Sequence, residues 1–139
     1  MNLDQFAAML SRSVAGAEAA LAIEVRAAGE AAKAMARDMI GRDTNYGWAP
    51  LAPSTLADKE RKGYPVPSPL LRTGELRDSI EAEAELLTAI VGSKDKRALY
   101  QEMGTRHIPP RPFIMPSAIK AGEALGEAVA KVAGKLLGP

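Results

Sequence analysis

Residues 99–116 read LYQEMGTRHIPPRPFIMP, and this stretch decides the fold. A short amphipathic run ends at Gly104. Beyond it, Pro109, Pro110 and Pro112 fix φ and remove amide donors, so the segment can be neither a helix nor a central strand. It is an extended arm, held in one shape at low entropic cost, that sets Phe113 just ahead of a second helix. The spacing before it predicts a short helix from Lys96 to Met103, with Leu99, Tyr100 and Met103 facing inward and Gly104 as its stop. After it, a last helix is expected from about Ser117 to Leu137. Its apolar positions are Ile119, Leu125, Val129, Val132 and Leu136. Gly122, Gly126 and Gly134 thin one side, which would admit a second helix: the N-terminal one or its copy in a neighbour.

Upstream of the arm, Thr73-Gly74 predicts a turn and one helical turn through Leu76. Ile80, Ala82 and Ala84 then alternate with Glu81, Glu83 and Glu85, the period of a half-solvated strand. Glu85 to Thr88 can turn, and Thr88 to Gly92 supplies the return strand of a β-hairpin. Three glutamates on one face invite a metal reading. Without a histidine or aspartate nearby, solvation and edge protection explain them better.

Residues 42–75 form a long, irregular connection rich in proline and glycine and containing Asn45. Its one helical piece is expected at Pro53–Arg61, with Ser54 or Thr55 near the start. Connections this long are commonly functional or disordered. Trp48, Leu51, Tyr64, Leu70 and Leu71 anchor this one, with Trp48 pinning the loop to the core and Tyr64 to Pro67 forming an exposed, mobile tip.

Before that loop, Asn2 and Gln5 form a capping box and Gly41 suits a helix C-terminus. Between them a stripe of Leu3, Ala7, Leu10, Val14, Ala17, Leu21, Val25, Ala28, Ala32, Met35 and Met39 predicts one helix of up to about 38 residues, roughly 57 Å long. Gly16 and Gly29 each cost about 1 kcal/mol relative to alanine and mark where it could bend or break. A helix of that length exceeds what a small domain covers, so it either folds on itself or packs against neighbouring subunits. Helix, loop, hairpin, arm, helix is an α+β order. The chain reads as a single domain over residues 1–139: the N-terminal helix to residue 41, the loop at 42–75, hairpin, short helix and arm at 76–116, and the C-terminal helix at 117–137.

Read together, these pieces resemble a known family. Trp48, Pro50 and Leu51 make a tryptophan-proline-leucine turn. Thr73, Gly74, Leu76, Ser79 and Ile80, within PLLRTGELRDSI (69–80), lead into the hairpin, and Val91, Gly92 and Ser93 end it. Tyr100, Glu102, Gly104, Thr105, Pro109, Arg111, Pro112, Phe113 and Pro116 follow in order. In spacing and sequence this resembles the tail-completion, head–tail joining and virion-morphogenesis proteins of tailed bacteriophages and prophages, over roughly the C-terminal two thirds. The resemblance implies a structural virion protein, acting by subunit assembly at the tail end or neck. It implies rings of its own copies, hexameric by tail symmetry, with tail-tube and neck proteins as partners. The locations it implies are the virion and, during assembly, the host cytoplasm. The long, alanine-rich N-terminal helix has no counterpart in the pattern.

Composition bounds the alternatives. The 139 residues are 47% hydrophobic but only 4% aromatic, which predicts a thin core built by helices in close approach. With no cysteine, disulfides and thiolate chemistry drop out. No run reaches the ~18–20 apolar residues of a membrane span and no signal-peptide pattern opens the chain, so the expectation is a soluble protein without membrane contact. The net charge of +1 is spread evenly. Only the tail from Arg111 leans positive, which is the sole sequence support for an alternative DNA-contacting connector of the neck. His107 is the only histidine, and no nucleophile elbow or P-loop is present, so an enzyme using His107 is a remote alternative and no cofactor is expected. The candidate interaction residues are Trp48, Tyr100, Glu102, Arg106, His107, Pro109, Arg111 and Phe113. Arg111, its backbone ordered by flanking prolines, is expected to clamp a carboxylate such as Glu102 or one on an adjacent subunit.

Overall fold

The computed structural model describes residues 1–42 and 46–137, so Asn45 lies outside the described residues. The elements are α1 (Leu3–Met39), α2 (Pro53–Arg61), α3 (Glu75–Asp78), β1 (Ile80–Glu85), β2 (Thr88–Ser93), α4 (Lys96–Met103) and α5 (Ile114–Leu137). The α+β order is the one the sequence predicts.

The 37 residues of α1 begin at the expected capping box, where the Asn2 side chain accepts from the Gln5 amide and Gln5 answers to the Asn2 amide. The helix runs on without a break through Gly16 and Gly29, the two places where the sequence would have allowed one. Gly29 has a different job. A Cβ there would lie 3.1 Å from the Ala89 Cβ, so the missing side chain lets the hairpin lie close on the helix. Gly41 follows with φ +85°, and its amide donates to the Pro69 carbonyl at 2.8 Å, tying the helix end to the loop.

β1 and β2 pair antiparallel from Ile80↔Ser93 to Glu85↔Thr88 across a two-residue turn, Leu86-Leu87. The alternation sorts the faces: Ile80, Ala82, Ala84, Ala89 and Val91 lie toward α1, and Glu81, Glu83, Glu85 and Ile90 point away. Arg37 of α1 fixes the start of the hairpin, donating from Nη2 to the carbonyls of Ile80 (2.7 Å) and Asp78 (3.3 Å).

α5 runs back along α1. Ser117 at its start meets Met39 at the end of α1, with Oγ 3.6 Å from Sδ, while Ala121 and Leu125 face Val25, Ala28 and Ala32. The core gathers where these elements meet: Ala36, Met39, Ile40, Leu76, Ile80, Ala98 and Phe113, with Trp48, Leu70, Leu71, Val91 and Ile114 packed around it. Because α5 is 24 residues long against 37, α1 overruns it. Residues 1–16 are exposed without exception, a projection of roughly 20 Å at 1.5 Å per residue.

Two expectations about packing are corrected. Gly122, Gly126 and Gly134 do not admit α1: a Cβ on any of them would meet open space, and the close approach is made by Ala121 instead. Gly122→Ala and Gly126→Ala are therefore expected to raise stability by about 0.5–1 kcal/mol each, through helix propensity alone, read as the shift in urea midpoint. The second correction concerns α4, whose bounds are as predicted but whose rotation is not. Leu99 (61%), Tyr100 (45%) and Met103 (69%) face solvent, and Ala98 is the buried residue. α4 instead turns Glu102 toward the arm, and its carboxylate takes backbone donors there that would otherwise go unpaired.

Candidate functional site

The arm is gripped by two separate parts of the chain, α4 and the loop around Trp48. Gly104 ends α4 at φ +74°, and a Cβ there would fall 2.9 Å from the Pro110 nitrogen, so only glycine fits the turn. Thr105 and Ile108 exchange backbone hydrogen bonds within it. The Arg111 amide then donates to the Gln101 carbonyl at 2.6 Å. The Arg111 guanidinium reaches back to the loop, donating to the carbonyls of Ala49 (3.2 Å from Nε, 3.1 Å from Nη2) and Pro50 (3.2 Å from Nη2). From the same loop, Trp48 Nε1 donates to the Pro112 carbonyl at 3.0 Å, while its ring lies 5.1 Å from that of Tyr46.

Glu102 closes the arrangement. Its carboxylate accepts from the amides of Phe113 (2.8 Å), Ile114 (2.9 Å) and Met115 (2.8 Å). A helix leaves its first four N–H groups without partners inside the helix. At α5 three of them bond to Glu102, and the fourth belongs to Pro116, which has none. That is why α5 begins at Ile114, three residues before the expected Ser117. The predicted Glu102–Arg111 clamp does not form: the carboxylate is spent on the α5 N-terminus, and Arg111 serves the loop carbonyls.

The candidate residues thus divide. Phe113, expected from the sequence to be an interaction residue, is instead fully buried in the core. Trp48, Glu102 and Arg111 make the internal bonds that set the arm, with Trp48 pinning the loop as expected. Tyr100, Arg106, His107 and Pro109 are exposed. Among the described residues His107 bonds through its amide, to Thr105 Oγ1 at 3.2 Å, and not through its ring. Among the described residues no three His, Cys, Asp or Glu side chains converge as a metal site.

Beside the arm lies a cleft of about 480 Å³, walled by α2, the turn before α3, α4 and residues 107–111. It holds a residue that the sequence reading missed. Lys59, 2% exposed, donates from Nζ to the carbonyls of Pro67 (2.9 Å) and Ser68 (2.7 Å), so the tip expected to be mobile is held from beneath. Burial, with Arg72 nearby, pushes the Lys59 ammonium below its ordinary range, and burial alone lowers Arg111. The signal available was a lysine at an inward helical position, which is rare unless the charge is paired.

On the same helix Asp58 bonds Lys62, Arg61 and Arg72, which hold its carboxyl at about 2 instead of 3.8. A lowered folded-state value contributes stability above the unfolded value and loses it as pH falls through the folded one. Between pH 3.8 and about 2, the parent protein should therefore lose stability more steeply than Asp58→Asn, measured by urea titration at each pH.

The chain matches no family model, and no curated protein or solved structure matches it significantly. One surface stands out. Leu3 (85%), Phe6 (49%), Leu10 (52%) and Val14 (54%) form an uncovered stripe on the projecting part of α1. An 18-residue window of α1 reaches a mean hydropathy of 1.3, and none of it is buried. By length and mean hydropathy alone α1 is long and apolar enough to cross a membrane, although Asp4, Arg12, Glu18 and Glu24 leave no uninterrupted apolar run of that length in it.

Proposed function

We propose that this protein is a structural assembly subunit, and that it completes the tail or joins tail to head in a tailed phage or prophage. The observation that carries the assembly reading is the projecting end of α1. It holds a helical stripe of large apolar side chains beyond the reach of α5, and such a stripe is stabilised only when another surface covers it. Each Leu, Val or Phe side chain fully covered would contribute about 1.5–3 kcal/mol. The arm supports the same reading. Held by Glu102, Trp48 and Arg111, it would lose less conformational entropy on docking than a free segment, which favours ordered association. The more specific virion role rests on the residue pattern around Trp48, Thr73-Gly74 and residues 100–116.

Light scattering across concentration and salt tests the proposal. The expected result is a discrete oligomer that Phe6→Ser with Leu10→Ser reduces to monomers. Because both side chains lie outside the core, thermal stability of the monomer should be unchanged. A monomer at every concentration would overturn self-assembly. The apolar window of α1 favours a second reading, insertion into or onto a bilayer. Flotation of the full chain with lipid vesicles, lost in the same double variant, would decide for it.

A further inference from the structure

The cleft beside the arm is lined by four cationic side chains, Lys59, Arg72, Arg97 and Arg111, against one carboxylate, Glu75. Two of the four are answered by ions: Arg97 lies 3.1 Å from Glu75 and 2.6 Å from Asp95, and Arg72 lies 3.3 Å from Asp58. The other two are not. Lys59 and Arg111, 2% and 6% exposed, bond only carbonyl oxygens and have no carboxylate partner among the described residues. Buried cations are ordinarily paired, because desolvation disfavours their charge and neutral dipoles offset only part of that cost. The depressed proton affinity of both groups is the same imbalance seen from the side chain.

The complementary surface is on the hairpin. Glu81, Glu83 and Glu85 stand exposed on the face of β1 turned away from α1, with alternate residues about 6.8 Å apart. None of the three forms an ion pair among the described residues. This row belongs to a different part of the surface from the cleft, so a contact between them joins two copies head to tail. Such contacts repeat, and they close into a ring when the rotation permits.

We infer that the cleft over Lys59 and Arg111 receives the glutamate row of β1 from a second copy of this chain. The inference rests on the assembly reading and names the two surfaces that meet. A carboxylate entering the cleft gives the two desolvated cations their counter-charge, and the surrounding arginines steer it in.

The natural absence of cysteine permits a direct test. Glu83→Cys on one copy and Ala52→Cys, an exposed position on the cleft wall, on another should form a disulfide-linked pair under mild oxidation. Glu83→Cys with Lys131→Cys, on exposed α5, should not. In parallel, Glu81→Gln with Glu83→Gln and Glu85→Gln should weaken association at least about tenfold while leaving the circular dichroism spectrum unchanged. Citrate should compete more strongly than sodium chloride of equal ionic strength. An oligomer that forms without the Glu83–Ala52 cross-link, and that the triple variant does not weaken, overturns this inference and leaves assembly standing. A strict monomer overturns both. Duplex DNA that blocks the cleft and leaves association intact would reassign the cations to phosphate and overturn the pairing with β1.

Discussion

Phe113→Ala is expected to destabilise the protein by about 3–5 kcal/mol, read as the loss of urea midpoint at constant slope. Phe113 is one of two phenylalanines in the chain and has no exposed surface. Around it stand small or slender side chains such as Ala36, Ala98, Ile80 and Met39. Few of them are long enough to swing into the space it would leave, so the cavity would remain open. Domains of this size have total stabilities of about 5–15 kcal/mol, which makes the loss a large share of the whole. Phe113→Leu, which keeps much of the volume, should lose far less. A loss below about 1 kcal/mol for the alanine variant would show that the core is centred elsewhere.

The second large effect is Glu102→Ala, expected at about 2–3 kcal/mol. It removes the acceptor for three amides at once and takes a negative charge from the positive end of a 24-residue helix. Glu102→Gln keeps one acceptor oxygen and should cost about half as much. Amide hydrogen exchange locates the effect: protection should fall first at Ile114 and Met115 and leave the middle of α1 unchanged. Equal loss along the whole chain would mean that Glu102 does no more than fill space. The two substitutions share the Phe113 amide, so their combined effect should be less than the sum.

Much of this fold is legible in the sequence because its signals are local. The Asn2–Gln5 box, the period of the α1 stripe, Pro53 opening α2, the alternation in β1 and Gly104 ending α4 each act within a few residues. The predicted bounds of α2 and α4 match the structure for that reason. The glycines show where local reasoning stops. Gly16, Gly29, Gly122 and Gly126 look alike in sequence, yet only Gly29 has a neighbour close enough to require it. The hairpin that supplies that neighbour comes 60 residues later.

The candidate site was legible in its residues and not in its pairings. Glu102, Trp48 and Arg111 were identified, but their partners lie 11–13, 64 and 61–62 residues away. Lys59 was missed because a lysine on a polar helix reads as solvated until the loop folds over it. By itself, then, the sequence determined which segments are helices, strands and arm, because caps, periodicity and fixed φ are properties of neighbouring residues. Only the tertiary structure decided which face of α4 turns inward, that Glu102 caps α5 and leaves Arg111 to the loop, and that Lys59 is buried. Those outcomes depend on which backbone donors and acceptors packing removes from water.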